Sequence, residues 1–171
     1  MPHVTILRKQ CTGCHMCELA CSAHHEGAYR PSAARLFVDC DPTTAVIKGR
    51  SCLQTACAKC EDVCPEGAIV RRDVVVSLDA AFASRDRSGD GISGVVLVVD
   101  EARCTNCGEC YTVCPYDVIS EHPERHKAFK CDLCDGSPEC LAFCQNPHVL
   151  AVDLRRDKAD ASEAPALVTE A

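Results

Sequence analysis

The sequence has no tryptophan, aromatic residues make up only 4% of it, and it carries just two methionines. That scarcity excludes a conventional aromatic-rich core. Long apolar runs are missing as well. VVLVVD, the best of them, is of strand length, whereas a membrane-crossing helix needs roughly 18 apolar residues or more. The opening segment MPHVTILRKQ lacks both a twin-arginine pair and the apolar run of about 7 to 15 residues that marks a secretory leader. The expectation is a cytoplasmic protein with no direct membrane insertion. Basic excess is absent too: 18 Lys and Arg face 25 Asp and Glu, a net charge of -7. Nucleic acid, which calls for basic patches, is thereby disfavoured as a partner. There is also no phosphate-binding loop and no Cys–His–Asp nucleophile arrangement.

What the sequence does have is cysteine, 17 in 171 residues. In a reducing compartment such a density points to metal rather than disulfides. Sixteen of the cysteines fall into four quartets: Cys11, Cys14, Cys17, Cys21; Cys52, Cys57, Cys60, Cys64; Cys104, Cys107, Cys110, Cys114; and Cys131, Cys134, Cys140, Cys144. Only Cys40 is left over, and it is expected to be a buried small hydrophobe. Cysteines at i, i+3 and i+6 can curl a loop around a cubic 4Fe-4S cluster, and a fourth, beginning a helix, leads away from it. In the bacterial ferredoxin pattern C-x2-C-x2-C-x3-C-P, that fourth cysteine serves the other cluster of a pair. Sixteen thiolates (-16) on four cores of about +2 each would take the net charge to about -15, which suits a protein partner with a basic dock.

Chain order and proline assign the pairs. The second and third quartets end in Cys64-Pro65 and Cys114-Pro115, followed by the similar PEGAI and PYDVI; the first and fourth have Ser22 and Gln145 instead. The inner two quartets therefore form one dicluster unit inserted into another made by the outer two. The expected ligand sets are Cys11, Cys14, Cys17 with Cys144; Cys131, Cys134, Cys140 with Cys21; Cys52, Cys57, Cys60 with Cys114; and Cys104, Cys107, Cys110 with Cys64. Zinc is the competing occupant. Structural zinc sites use two C-x2-C knuckles with a longer spacer, and three cysteines within seven residues crowd a tetrahedral ion. Disulfides rank lower still.

Between the quartets, alternation in PHVTILRKQ and in RLFVDC predicts strands, and ELACSAHHEG a short helix ending at Gly27. AIVRRDVVVSLD and GVVLVVDEARC read as a hairpin joined by the polar connector AAFASRDRSGDG. Gly89, Gly91 and Gly94 fit G-x-G-x-x-G without the strand-then-helix context that a dinucleotide site requires. Asp86, Ser88, Asp90 and Gly91 imitate a calcium loop, but Leu97 stands where the bidentate Glu belongs; a Gly-rich turn is the better reading of both. His15, inside the first ligand loop, reads as solvent-facing, with hydrogen bonding to the cluster as the alternative. His24, His25 and Glu26 read as a local polar cluster. Arg71, Arg72, Arg85 and Arg87 read as a solvated basic face or a docking patch.

Four quartets in this order resemble the four-cluster electron-transfer subunits of molybdenum and tungsten enzymes over about residues 3 to 150. CTGCHMCELACSAHHEG, PSAARLFV and KCDLCDGSPECLAFC are most similar to the small iron–sulfur subunits of tungsten aldehyde oxidoreductases and of benzoyl-CoA reductase complexes. The resemblance implies an α+β fold of two interleaved bacterial dicluster ferredoxin-like modules with a β-hairpin insertion. The outer module would take residues 1–50 and 120–153, the inner one 51–119 with its insertion near 71–100, leaving 154–171 as a flexible or partner-ordered tail. It also implies a non-catalytic subunit with four 4Fe-4S clusters, passing electrons between a tungstopterin catalytic subunit and a soluble ferredoxin or a flavin- or NAD-binding subunit. One departure stands out: the family's second quartet is spaced C-x2-C-x4-C-x3-C-P, which would put a cysteine where Thr55 stands. Alternatives are a free-standing polyferredoxin, a subunit of a benzoyl-CoA reductase, hydrogenase, formate dehydrogenase or carbon monoxide dehydrogenase complex, and a zinc-stabilised interaction module.

Overall fold

The computed structural model describes residues 2–54, 57–77, 91–146 and 149–154. Its described part is α+β. Strand β1 (Pro2–Ile6) is followed by helix α1 (Met16–Glu26), strands β2 (Phe37–Cys40) and β3 (Ile47–Arg50), and helix α2 (Lys59–Val63). Then come β4 (Ile69–Val76), β5 (Ile92–Val99), α3 (Glu109–Val113), the short β6 (Ser120–Glu121) and β7 (Ala128–Phe129), α4 (Glu139–Ala142) and β8 (Leu150–Leu154).

The strands pair antiparallel in twos: β1 with β8, β2 with β3, β4 with β5, and β6 with β7. Thus the first and last described strands close on each other, Val4 opposite Val152. The hairpin expected from the two valine-rich runs is the β4–β5 ladder, Ile69 opposite Val99 through Val76 opposite Ile92. Its connector lies outside the described residues apart from Gly91, as do Thr55, the calcium-like Asp86, Ser88 and Asp90, Gly89, Arg85, Arg87 and residues 155–171.

Two hydrophobic clusters form the core. The larger gathers Val4, Leu36, Val38, Val118, Leu133, Leu150 and Val152 around Cys17, Cys21, Cys52, Cys131 and Cys140. The smaller packs Ala68, Ile69, Leu97 and Ile119 around Cys60, Cys104 and Cys110. The β4–β5 hairpin belongs to both, because Val74, Val76, Ile92 and Val96 enter the larger cluster and Ile69 and Leu97 the smaller. With so few rings, mostly aliphatic side chains and sulfurs fill the described interior, beside a few larger groups such as Phe129, His122 and Lys130.

Helix lengths follow proline. α2 and α3 stop after five residues, where Cys64 and Cys114 turn to an extended backbone (φ -71° and -74°) ahead of Pro65 and Pro115, the conformation that a following proline imposes. α1 has Ser22 instead of proline and continues for 11 residues to Gly27, whose φ of 65° makes the left-handed cap for which glycine is suited.

Candidate metal centre

The four ligand loops share one local design. The third cysteine of every quartet is the second residue of a helix: Cys17 in α1, Cys60 in α2, Cys110 in α3, Cys140 in α4. In the first three loops a left-handed residue immediately precedes the helix, His15 (φ 58°), Ala58 (φ 50°) and Gly108 (φ 84°). That reversal curls the loop back so that its cysteines share a concave side. The fourth loop has a different sequence, with Pro138 before the helix at φ -66°. It curls earlier instead, through Leu133, Cys134 and Asp135 at φ 60°, 49° and 54°, while the Asp132 carboxylate accepts from the Cys134 N–H at 3.0 Å.

Sulfurs from different quartets meet. Cys11, Cys14 and Cys17 line a cavity of about 260 Å³ together with Cys144 from the far end of the chain. Cys104, Cys107 and Cys110 line another with Cys64. Cys21 lies within electrostatic reach of Cys131 and Cys134, and Cys140 of Cys131, Cys134 and Cys21. Cys60 stands in the same relation to Cys52 and Cys114. Cys57 is half-buried in its loop, its N–H 3.5 Å from the Gln54 carbonyl.

Backbone amides point at several of these sulfurs. Arg35 N–H donates to Cys21 Sγ at 3.2 Å, Gln54 N–H to Cys52 Sγ at 3.3 Å, Ala68 N–H to Cys64 Sγ at 3.2 Å and Ala128 N–H to Cys104 Sγ at 3.4 Å. Such bonds favour thiolate and tune whatever it ligates. Burial works in the opposite direction. It pushes the Cys17, Cys21, Cys110, Cys131 and Cys134 thiols up to about 12 and Cys60 to about 11, and takes Cys140 well above its usual range; neighbouring sulfurs add to this. A buried sulfur group of this kind is expensive to charge unless a cation core sits among the thiolates.

The donor spacing suits a cluster better than a single ion. Tetrahedral zinc with bonds of about 2.3 Å holds its sulfurs only about 3.8 Å apart. Among the described residues, the one trio of potential donors close enough to share an ion is His24, His25 and Cys134, within 4.8 Å of one another; no three cysteines gather that tightly.

Several neighbours differ from what the sequence suggests. Cys40 is exposed at the end of β2 rather than buried: it shares a face with the buried Val38, but Asp39 on the opposite face is exposed as well, so the end of the strand runs past the core. His25 is more than part of a local polar cluster: its Nε2 lies 3.7 Å from Cys134 Sγ and 3.4 Å from Asp132, and burial chiefly lowers its pKa to about 4. His15 is exposed, with Nδ1 2.6 Å from Glu18, whose other oxygen accepts from the Val38 N–H. Of the basic patch, Arg71 grips Glu61 through two bonds of 2.8 Å and Arg72 pairs with Asp135. Both arginines are tied down within the chain.

A family described as "4Fe-4S dicluster domain" matches residues 51–118. The polyferredoxin-like subunit of aliphatic sulfonate oxidoreductase from Pyrococcus furiosus is 30% identical over 141 residues, 82% of this chain and 70% of that protein. Electron transport protein HydN of Escherichia coli is 31% identical over 169 residues, 84% of this chain and 83% of its own. Among solved structures, a chain of the active-site complex BamBC of benzoyl coenzyme A reductase with 1,5-dienoyl-CoA covers 100% of this chain and 83% of its own, at 24% identity and a TM-score of 0.48. With its cysteine loops and these relatives, the chain belongs to the family of 4Fe-4S dicluster, ferredoxin-like electron-transfer subunits of oxidoreductases, and is itself non-catalytic.

Proposed function

We propose that the chain holds four 4Fe-4S clusters, one in each crossed sulfur group, and relays single electrons between a catalytic oxidoreductase subunit and a second redox protein. The observation that carries this reading is the crossed gathering itself: each cavity lined by three cysteines of one quartet also receives the last cysteine of another. A bound cluster supplies reversible one-electron chemistry, with potentials in the family spanning roughly -700 to +450 mV. The chain supplies the thiolates, the amide donors that steady them and the order of the groups.

That order is linear. Cys110 lies in reach of Cys60, Cys131 of Cys52, and Cys140 of Cys17. The series therefore runs from the Cys64, Cys104, Cys107, Cys110 group, through the Cys52 and Cys131 groups, to the Cys11, Cys14, Cys17, Cys144 group. Each end has one exposed cysteine, Cys107 at one and Cys14 at the other, and the middle groups have none. Partners would meet the chain at those two ends.

The relatives' names support an oxidoreductase on one side, one of them being a subunit of aliphatic sulfonate oxidoreductase. The narrower reading is a tungstopterin aldehyde oxidoreductase as that partner, with a ferredoxin or a flavin- or NAD-binding subunit on the other, in the cytoplasm. It rests on the resemblance of the first and last ligand loops. The test is metal analysis of the tagged chain, purified without oxygen from its native host with whatever stays bound. About sixteen irons per chain with tungsten is the expected result. Iron with nickel would redirect the partner to a hydrogenase, iron alone would favour a free polyferredoxin, and zinc without iron would overturn the cluster reading.

A further inference from the structure

The largest fully buried side chain among the described residues is a lysine. Lys130 is 2% exposed, immediately precedes Cys131, and lies where the two middle sulfur groups join. Its ammonium donates to the Leu97 carbonyl, to Gln54 Oε1 at 3.2 Å and to the Cys131 carbonyl at 3.2 Å. An ammonium has three donors, so three neutral oxygens satisfy all of them and leave the charge uncancelled. No carboxylate pairs with Lys130 among the described residues. Burying a lone cation is costly, and neutral acceptors do not remove the cost of its charge.

The anion that offsets it is at hand. Four thiolates around a core of about +2 carry about -2, and about -3 after one electron is added. Of the sulfurs around it, Cys60 feels Lys130 directly: burial raises that thiol and the lysine is the foremost influence opposing the rise. Gln54, also 2% exposed, fixes the geometry. Its Oε1 accepts from Lys130 and from the Leu97 N–H at 3.1 Å, its Nε2 donates to the Cys131 carbonyl at 2.9 Å, and its own N–H reaches Cys52 Sγ. The cation is thus tethered to both middle groups.

We propose that Lys130 is a potential-setting residue for the Cys52, Cys57, Cys60, Cys114 group, a buried fixed charge that favours its reduced form. The inference rests on the cluster reading above. One electron arrives from an adjacent group and leaves to the next; no bond forms or breaks, no proton moves, and Lys130 keeps its charge throughout. Within a low-dielectric interior such a charge acts strongly on its nearest neighbour and weakly on groups farther along the line.

The experiment is a redox titration followed by electron paramagnetic resonance on the full chain with its clusters bound, purified without oxygen. Wild type is compared with Lys130→Met, Lys130→Arg and Gln54→Glu, and Cys57→Ser identifies the signal of interest. Lys130→Met is expected to shift the reduced-to-oxidised ratio of that one signal about tenfold toward the oxidised form at fixed potential, which is ~59 mV for one electron. Gln54→Glu, which leaves the lysine and adds an opposing charge, moves it the same way, and Lys130→Arg stays near wild type. If Lys130→Met loses its iron, Gln54→Glu decides the matter. Full iron with an unmoved signal, or equal movement of all signals, overturns the role of Lys130 alone. Wild type with iron for fewer than four clusters overturns the cluster reading on which it rests.

Discussion

In the proposed series the two end groups and the two middle groups each gather four sulfurs, yet their surroundings differ. Cys14 and Cys107 reach solvent, whereas Cys21, Cys131, Cys134 and Cys140 are all buried. Burial disfavours adding negative charge, so middle groups in a bare apolar interior would become barriers in the line. The chain answers differently at each. Beside the Cys131 group, Arg35 is paired with Asp132 at 2.6 Å, so much of its charge is spent. Beside the Cys52 group, Lys130 has only neutral partners. On the proposed four-cluster reading, exposure at the ends would serve contact with partners and the buried charge in the middle the passage of electrons.

The largest effect expected is from stripping iron. Among the described residues, nineteen make the larger buried core cluster and five of them are cysteines, so removing what the sulfurs hold removes much of what the core packs against. Where metal binding supplies the folding free energy, the apo chain unfolds. Treatment with a chelator under reducing conditions should abolish the cooperative thermal transition seen by circular dichroism. An apo chain that melts as sharply as the holo chain would show that the carbon side chains suffice.

Next in size is a ligand exchange that separates one middle group from one end. Cys21→Ser should perturb the paramagnetic signal of the Cys131, Cys134, Cys140 group, with loss of about four irons, and spare that of Cys11, Cys14 and Cys17. The reverse outcome would mean that each quartet keeps its own fourth cysteine, and the linear order would fall with it.

Much of this was legible in the sequence, but unevenly. The quartets, the cap at Gly27 and the β4–β5 ladder are local matters of spacing, φ restriction and alternation. The helices, expected to begin at the fourth cysteine, instead begin one residue before the third, and α2 and α3 end at the fourth, where the prolines force the chain out. The residues that grade the groups were not legible. Lys130 reads as one more charged residue before CDLC, because its burial depends on Gln54 and Leu97, 76 and 33 positions away. His25 likewise meets Cys134 across 109 positions. Cys40 errs in the other direction: small hydrophobes are usually inside, but this one stands where the end of β2 passes the core, exposed on the same face as the buried Val38.

The hairpin offers a way to disturb one middle group without touching a ligand. Gly136 sits in the fourth ligand loop at φ 104°, and a Cβ there would come within 2.3 Å of the Val75 carbonyl, while its own carbonyl accepts from Ser77 at 2.9 Å. Gly136→Ala combines backbone strain with a backbone clash, and should destabilise the holo chain by roughly 2 to 4 kcal/mol. A lowered Tm together with a shifted signal of the Cys131 group, and unchanged end groups, is the expected pattern.

The smallest effect belongs to the surface, and it bounds the comparison from below. Arg71 and Glu61 make two good hydrogen bonds of 2.8 Å each, and the Glu61 carboxyl is held below its usual range chiefly by the Arg71 bond. Arg71, however, is exposed and Glu61 only half-buried, and in contact with water screening and side-chain entropy offset most of an ion pair's attraction. Arg71→Ala should leave Tm and all four potentials where they were, even though the residue removed is a cation like Lys130. A change of potential in Arg71→Ala equal to that in Lys130→Met would mean that any nearby positive charge serves, and burial would lose its place in the explanation.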